Sequence, residues 1–222
     1  MTWFVERQER TVFDLHELGI PEHPQRLVRV CVPQDGAIVL GSAQPETDID
    51  LDVAASWDLD CVRRKSGGGA VLVQRGDLVW IDVMIPKGDP LWRDDVGTAF
   101  HWLGTVWKHA LEQVGVEDVV VHEGAMITTH WSRQICFAGL GPGECLVEGR
   151  KVVGISQKRT REGAMFQCSV PLRFDLDCML DVLTASDGDK QRMRVDVGGF
   201  VGTVDATPEA IEHAFLAAIQ LV

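Results

Sequence analysis

The chain has 222 residues, a formal net charge of −12 and an apolar content of 45%. That length suits one large domain or two small ones with a substantial core, and the acidic charge argues against a nucleic-acid partner, which needs a basic surface. No apolar run approaches the ~20 residues of a membrane span, and the N-terminus lacks the order of a signal peptide. The sequence therefore predicts a cytoplasmic protein without a membrane partner.

Six cysteines are spread along the chain at positions 31, 61, 136, 145, 168 and 178. None of them forms a CxxC pair, and a chain of this size does not depend on disulfides for its stability. We therefore expect free thiols in a reducing compartment and no structural metal site.

Apolar segments in the first half of the chain predict strands and then a helix. Residues 27–32 and 37–40 flank a Pro-Gln-Asp-Gly turn, and residues 71–73 and 78–85 flank an Arg-Gly-Asp turn, which is typical of paired strands. From residue 96 to residue 114, apolar side chains recur at steps of three and four, which predicts a long helix closed by Gly115.

Similar patterns in the second half predict strands over 119–121, 144–147, 151–155 and 166–172, and helices over 175–183 and 208–219. A tight Glu-Gly turn joins two of these strands, and Thr207 and Pro208 suit the cap and first position of the last helix. Hairpin strands with helices gathered between them predict an α+β fold with a mixed, largely antiparallel sheet and packed helices. We expect a single domain over residues 1–222.

The stretch RRKSGGGAV, residues 63–71, places three cationic residues just before three consecutive glycines. Gly67, Gly68 and Gly69 permit positive φ and close approach of a ligand, and amide groups in such a turn can form a nest for an anion.

The polar residues of the same stretch suit the same kind of ligand. Arg63 and Arg64 offer donor forks for a carboxylate or phosphate, and Ser66 adds a hydroxyl. The residues alone leave open a flexible glycine loop with solvated arginines.

A second basic stretch, EGRKVVGISQKRTREG, covers residues 148–163. Lys151 and Gly154 lie on its predicted strand, and Lys158, Arg159 and Arg161 follow. Two cationic clusters in an acidic chain favour a shared anionic ligand, although a solvated hairpin is the alternative.

These two stretches, with AIVLGSAQ at residues 37–44, resemble the catalytic domain of the superfamily of lipoate–protein ligases, octanoyltransferases and biotin–protein ligases, in its lipoate branch. The resemblance covers residues 28–183. It implies a class II synthetase-like, biotinyl/lipoyl ligase fold that holds an acyl chain in an apolar tunnel.

The resemblance also implies roles for the residues of both stretches. Lys151 matches the lysine at the carboxyl or acyl-phosphate centre, Gly154 and Ser156 match the turn that follows it, and the glycine stretch lines the ligand. A ligase would activate lipoate or octanoate with ATP and Mg²⁺ as the acyl-adenylate. It would then attach the acyl group to a lysine of a lipoyl-domain or H-protein-like acceptor. We expect Lys151→Ala to abolish this transfer and to leave the fold intact.

Two departures from the family pattern keep other functions open. Gln167 and Cys168 stand where family members usually carry His and Gly, which favours a degenerate, non-catalytic acyl-binding member. We also expect the chain to lack the C-terminal accessory domain of many ligases, which implies either a separate accessory chain or a transferase that needs no ATP.

Cys136, in ICFAG at residues 135–139, lies where one class of octanoyltransferase carries its nucleophile. It would accept an octanoyl group from acyl carrier protein; the alternative is a buried small hydrophobe between Ile135 and Phe137. The ligase interpretation is preferred because Arg63, Arg64 and Lys151 all suit an acyl-phosphate.

Overall fold

The computed structural model describes residues 2–222, which form two β-sheets surrounded by helices. The strands are β1 Phe4–Arg10, β2 Leu27–Pro33, β3 Gly36–Leu40, β4 Leu59–Arg63, β5 Val71–Val73, β6 Leu78–Pro86, β7 Val120–Val121, β8 Cys145–Val147, β9 Arg150–Arg159 and β10 Gly163–Pro171. The α-helices are α1 Val12–Glu17, α2 Leu51–Ser56, α3 His101–Gln113, α4 Leu176–Asp181, α5 Asp187–Gly198 and α6 Pro208–Ile219.

Over residues 2–222, the larger sheet has seven strands in the order β1-β2-β6-β10-β9-β8-β7, and the smaller has three in the order β4-β3-β5. The β1–β2 pair and the β3–β4 pair are parallel, and the other pairs are antiparallel. The predicted α+β class with a mixed, largely antiparallel sheet is therefore confirmed.

The Pro-Gln-Asp-Gly turn joins β2 to β3, and the Arg-Gly-Asp turn joins β5 to β6. Neither turn joins strands that pair with each other, so the interpretation of these segments as hairpins was wrong. Instead β2 pairs with β6 in the large sheet, and β3 pairs with β5 in the small one. The chain thus crosses between the sheets at both turns. Strands buried on both faces can be placed in either sheet, and a turn sequence alone does not choose the partner.

The predicted long helix begins later than its periodicity indicated. Val96 is 54% exposed in an irregular turn, and α3 starts only at His101. At the other end the prediction holds, because Gly115 follows α3 with φ +89°. The last helix is confirmed at both ends, with the Thr207 side chain accepting from the Ala210 N–H and Pro208 at its start.

One face of the large sheet packs against α3 and α6, where the rings of Trp107 and Phe215 lie 4.3 Å apart. Its other face packs against α1 and the small sheet: Trp80 of β6 shares a buried cluster with Leu15 of α1 and Val39 of β3. The candidate site lies on this second face. Within residues 2–222 no helix has both the length and the apolar character to cross a bilayer.

Candidate functional site

Gly68 and Gly69 pass very close to other backbone, whereas a Cβ built on Gly67 would meet nothing within 4 Å. Gly68 has φ +103°, a conformation that favours glycine. A Cβ on Gly41 would lie 1.9 Å from the Gly68 oxygen, and a Cβ on Gly69 would lie 2.7 Å from the Ile135 nitrogen. The loop is therefore a packed element of the structure.

The same contacts bring the glycine loop to the candidate nucleophile. The Ala70 N–H donates to the Gln134 oxygen at 2.8 Å, and the Cys136 N–H donates to the Ala70 oxygen at 2.9 Å. A Cβ built on Gly68 would lie 3.3 Å from the Cys136 Sγ. The predicted ligand loop and Cys136 thus form one unit.

The two arginines beside the loop both donate to the main chain, Arg64 through all three of its nitrogens and Arg63 through Nη1 alone. Buried Arg64 donates to the carbonyl oxygens of Val39, Gly67 and Gly69 at 2.8–3.3 Å. Arg63 donates to two carbonyl oxygens of the turn after β3, at 2.9 and 2.6 Å. Arg64 braces the glycine loop and Arg63 braces the turn after β3. Direct binding of a ligand by Arg63 and Arg64 stays a prediction.

Lys151 is 1% exposed and lies beside the backbone of Cys136. Its Nζ is 2.8 Å from Glu144 Oε2, 3.0 Å from the Gly139 oxygen and 3.3 Å from the Cys136 oxygen. These contacts use all three donors of an ammonium group. The Phe137 ring covers the same ammonium, with its centroid 4.8 Å from Nζ.

Glu144 completes this buried ion pair. Its Oε2 accepts from the Gly141 N–H at 2.6 Å, and its Oε1 accepts from the Ile155 N–H at 2.9 Å. A buried pair is tolerated when its remaining hydrogen bonds are made. The pair ties the segment containing Cys136 to β9, and Gly154 allows this packing because its absent Cβ would lie 3.1 Å from the Phe137 ring.

Ser66, Ser156 and Gln167 meet in a polar network between the loop and the large sheet. The Ser66 Oγ lies 3.0 Å from the Ser156 Oγ and donates to Gln167 Oε1 at 3.1 Å. Gln167 Nε2 in turn lies 3.3 Å from His16 Nδ1. Gln167, which departs from the family pattern, therefore links the glycine loop to α1.

This network continues across the large sheet as a row of polar residues in register. Neighbouring strands place Glu6 opposite Arg29, Arg29 opposite Asp82, Asp82 opposite Gln167, and Gln167 opposite Ser156. Sequence reasoning missed His16, Arg29 and Asp82. One available signal was Asp82 itself, a lone carboxylate in the apolar run LVWIDVMI.

Burial shifts the pKa of Asp82, which belongs to this row, and of His16, which lies beside it. Burial raises the pKa of Asp82 to about 6, although Trp80 Nε1 donates to Oδ1 at 2.7 Å and the Arg29 guanidinium lies 3.9 Å from Oδ2. Burial, with the positive charges of Arg64 and Lys65, lowers the pKa of His16 to about 3. His16 is therefore neutral at neutral pH.

Two cavities meet at Cys136. The inner cavity, of about 60 Å³, lies between the sheets and is lined by apolar residues such as Val39, Val73 and Leu78, and by His16 and Trp80. The open cleft, of about 860 Å³, is lined by the glycine loop, Glu144 and Lys151 among others. Three residues line both, and they mark the junction: Cys136, Ile155 and Ser156.

The other five cysteines have environments that suppress thiolate formation. Burial raises the pKa of Cys145 to about 12 and that of Cys178 to about 11. It also raises the pKa of the remaining three, Cys31, Cys61 and Cys168. Cys136 differs in position, because it is half-buried and faces both cavities.

Across residues 2–222, His, Cys, Asp and Glu side chains form no group of three or more that could hold a metal ion. The Mg²⁺ and ATP of the ligase interpretation therefore stay predictions.

Comparison with known proteins identifies the family. The family model for the lipoyl protein ligase A/B catalytic domain matches residues 11–211. The chain belongs to this family. The resemblance inferred from the glycine stretch and the Lys151 strand is thereby confirmed.

Curated relatives include two proteins named octanoyltransferase LipM. The one from Clostridioides difficile is 24% identical over 177 residues, covering 79% of this chain and 63% of the relative. The one from Bacillus cereus is 28% identical over 158 residues, covering 67% of this chain and 55% of the relative. The chain thus spans less than two thirds of the length of these relatives.

Solved structures share the fold. A bipartite lipoate protein ligase from Thermoplasma acidophilum, studied with its E2 lipoyl domain, superposes with a TM-score of 0.72 at 15% identity over 97% of this chain and 82% of that one. A lipoate-protein ligase A bound with ATP gives a TM-score of 0.69 at 16% identity, over 98% of this chain and 83% of that one. The expected lipoate-ligase-like fold is confirmed.

Proposed function

We propose that this family member is an octanoyltransferase that works through a covalent intermediate on Cys136. It takes an octanoyl group from the thioester of acyl carrier protein and passes it to a lysine of a lipoyl-domain or H-protein-like acceptor. The observation that carries the proposal is the position of Cys136, where a small cavity lined largely by apolar side chains meets a much larger open cleft.

The reaction balances as two acyl exchanges. The Cys136 sulfur attacks the donor's thioester carbonyl, a new thioester forms, and the donor thiol leaves with the proton that Cys136 gave up. The amine of the acceptor lysine then attacks the enzyme thioester. An amide forms, and the proton lost by the amine returns to the Cys136 sulfur.

Lys151 supports both steps by positioning. Its ammonium lies 3.3 Å from the Cys136 carbonyl oxygen and is paired with Glu144. Because all three of its donors are used, we expect Lys151 to hold the Cys136 segment in place and not to bind the acyl oxygen directly.

ATP-dependent ligation, preferred from the sequence, is the second candidate. Two of the three cations expected to bind an acyl-phosphate use their donors within the protein: Arg64 on carbonyl oxygens, and Lys151 on Glu144 and two carbonyl oxygens. Arg63 is exposed and uses only Nη1 on carbonyl oxygens. The engaged donors of Arg64 and Lys151 reduce the support for an adenylate. The named relatives also favour a transferase. A non-catalytic acyl-binding role is the third candidate.

One assay read by intact mass separates the three. The purified protein and an apo lipoyl domain are mixed with octanoyl-acyl carrier protein, or with lipoate, ATP and Mg²⁺. We expect an octanoyl adduct on the chain and then on the acceptor in the first mixture. The adduct should disappear in Cys136→Ala and persist in Cys61→Ala, a half-buried cysteine on β4. Modification in the second mixture alone would establish the ligase, and reaction in neither would favour the non-catalytic role.

A further inference from the structure

Strand β1 forms an open edge of the large sheet. It runs parallel to β2, where the Phe4 N–H donates to the Arg26 oxygen and the Gln34 N–H donates to the Arg10 oxygen. Because the direction of the main-chain groups alternates along a strand, the even-numbered residues of β1 bond to β2 and the odd-numbered residues face away. Within residues 2–222, the N–H and C=O groups without a main-chain partner on this edge are those of Val5, Arg7 and Glu9.

The side chains of this edge carry a charge pattern that is complementary to itself. Residues 6–10 read Glu-Arg-Gln-Glu-Arg. We propose that β1 pairs antiparallel with β1 of a second copy of this chain, about a twofold axis at Gln8, and joins the two large sheets into one. Opposite charges then lie across from each other along the whole contact, each pair occurring twice: Glu6 with Arg10, and Arg7 with Glu9.

The backbone and the charges select the same register. In a twofold pairing the central residue lies opposite its own copy. Gln8 is the uncharged residue of the segment 6–10, so a centre on any of its four neighbours in that segment would place like charges in contact, which destabilises the pairing. With Gln8 at the centre, Arg7 lies opposite Glu9. Both residues have outward-facing main-chain groups, so they can exchange the hydrogen bonds of an antiparallel ladder.

The charges of β1 are available to a second copy. Charged side chains usually protect an exposed edge from pairing, but here the two copies bring opposite charges together. Arg7 uses Nη1 on Glu212 at 2.6 Å and Nε on Glu9 of its own chain at 3.2 Å, while its Nη2 has no partner within residues 2–222. Exposed ion pairs contribute little to stability, so exchanging one Glu9 for the Glu9 of the second copy costs little.

Exposed apolar side chains flank the charged segment at both ends. Phe4 and Val5 precede it, and Phe13 follows it near the start of α1. Because the paired strands run in opposite directions, the proposed register places Val5 of one copy opposite Thr11 of the other. The apolar start of one β1 therefore lies beside the α1 start of the second copy. Covering this apolar surface adds to the contact area that a stable dimer needs.

Sedimentation velocity on the purified chain and on charge variants tests the pairing. We expect the wild type to dimerise at micromolar concentration. Arg7→Glu places a carboxylate opposite Glu9, and Glu9→Arg places a guanidinium opposite Arg7. Each variant alone should therefore raise the dimer dissociation constant at least about tenfold. An equimolar mixture of the two variants should recover dimers that contain one copy of each, because every charged pair is then opposite again.

Arg161→Glu is the matched control, because it makes the same change of charge on an exposed residue outside β1 and should leave the dissociation constant unchanged. Thermal melts establish that each variant is folded. If one single variant does not fold, the other decides together with the double variant Arg7→Glu with Glu9→Arg, which restores the opposite pairs within one sequence and should dimerise like the wild type.

Three results would each overturn the proposal: a monomeric wild type, single variants that dimerise as tightly as the wild type, or a mixture that stays monomeric. A dimer that ignores the charges of β1 would have to use another surface. None of these measurements uses acyl transfer, so their outcome is independent of the proposed function.

Discussion

The two faces of the large sheet are built by the same strands, and they differ in the polar side chains that one of them buries beside its apolar clusters. On β6, Val79, Ile81 and Val83 face α3 and α6 in a wholly apolar cluster. The alternate residues include Trp80 and Asp82, and they face the site. The first face stabilises the fold by burial. The second keeps polar groups that are costly unless paired, and these groups build the candidate site.

The largest effect on stability should come from the apolar face. Trp107→Ala removes a fully buried ring packed on Phe215, and we expect a loss of about 4 kcal/mol in the free energy of unfolding. Urea denaturation measures this loss. The acyl-transfer rate per folded molecule should stay near that of wild type, because Trp107 lies on the face away from Cys136. A rate that falls together with stability would contradict the division between the faces.

On the site face, Lys151→Ala should damage both properties. It leaves Glu144 buried without its cation, so we now expect a loss of about 3 kcal/mol as well as loss of acyl transfer. This replaces the expectation that the fold would stay intact. The double variant Lys151→Met with Glu144→Gln should recover part of the stability and none of the activity. Wild-type stability in the single variant would show that the pair is not buried in solution.

A smaller, pH-dependent effect should come from Asp82. Its folded-state pKa is raised from 3.8 to about 6, so it stabilises the fold below pH 3.8, and this contribution is lost as pH rises through 6. Relative to wild type, Asp82→Asn should therefore gain up to about 2 kcal/mol between pH 4 and pH 7. Thermal melts of both proteins across that range measure the difference. A constant difference with pH would show that Asp82 does not titrate as proposed.

The smallest effect should come from outside both faces. Lys108 and Glu112 form an exposed i,i+4 pair on α3, and Lys108→Ala should cost about 0.3 kcal/mol with no change in transfer. This variant serves as the reference for Trp107→Ala on the same helix. If Lys108→Ala cost as much stability as Trp107→Ala, the difference in burial between Lys108 and Trp107 would not explain the effect of the tryptophan.

The candidate site was predictable where its residues carry a local signal. The glycine stretch and the Lys151 strand were recognisable by themselves, and the structure brings both to Cys136. The parts contributed by distant segments were not predictable. His16 and Gln167 are 151 positions apart, and neither stands in a pattern that indicates the other. The row from Glu6 to Ser156 exists only through strand register.

The sequence by itself determined the fold class, the family and the helix ends marked by caps, such as Thr207 and Pro208. These depend on short-range periodicity and on local hydrogen bonds. Only the tertiary structure decided that β2 and β3 enter different sheets, that Arg64 binds the carbonyl oxygens of the glycine loop, and that His16 meets Gln167. Those outcomes depend on contacts between segments far apart in the chain, and no local pattern encodes which partner a strand or a guanidinium group finds.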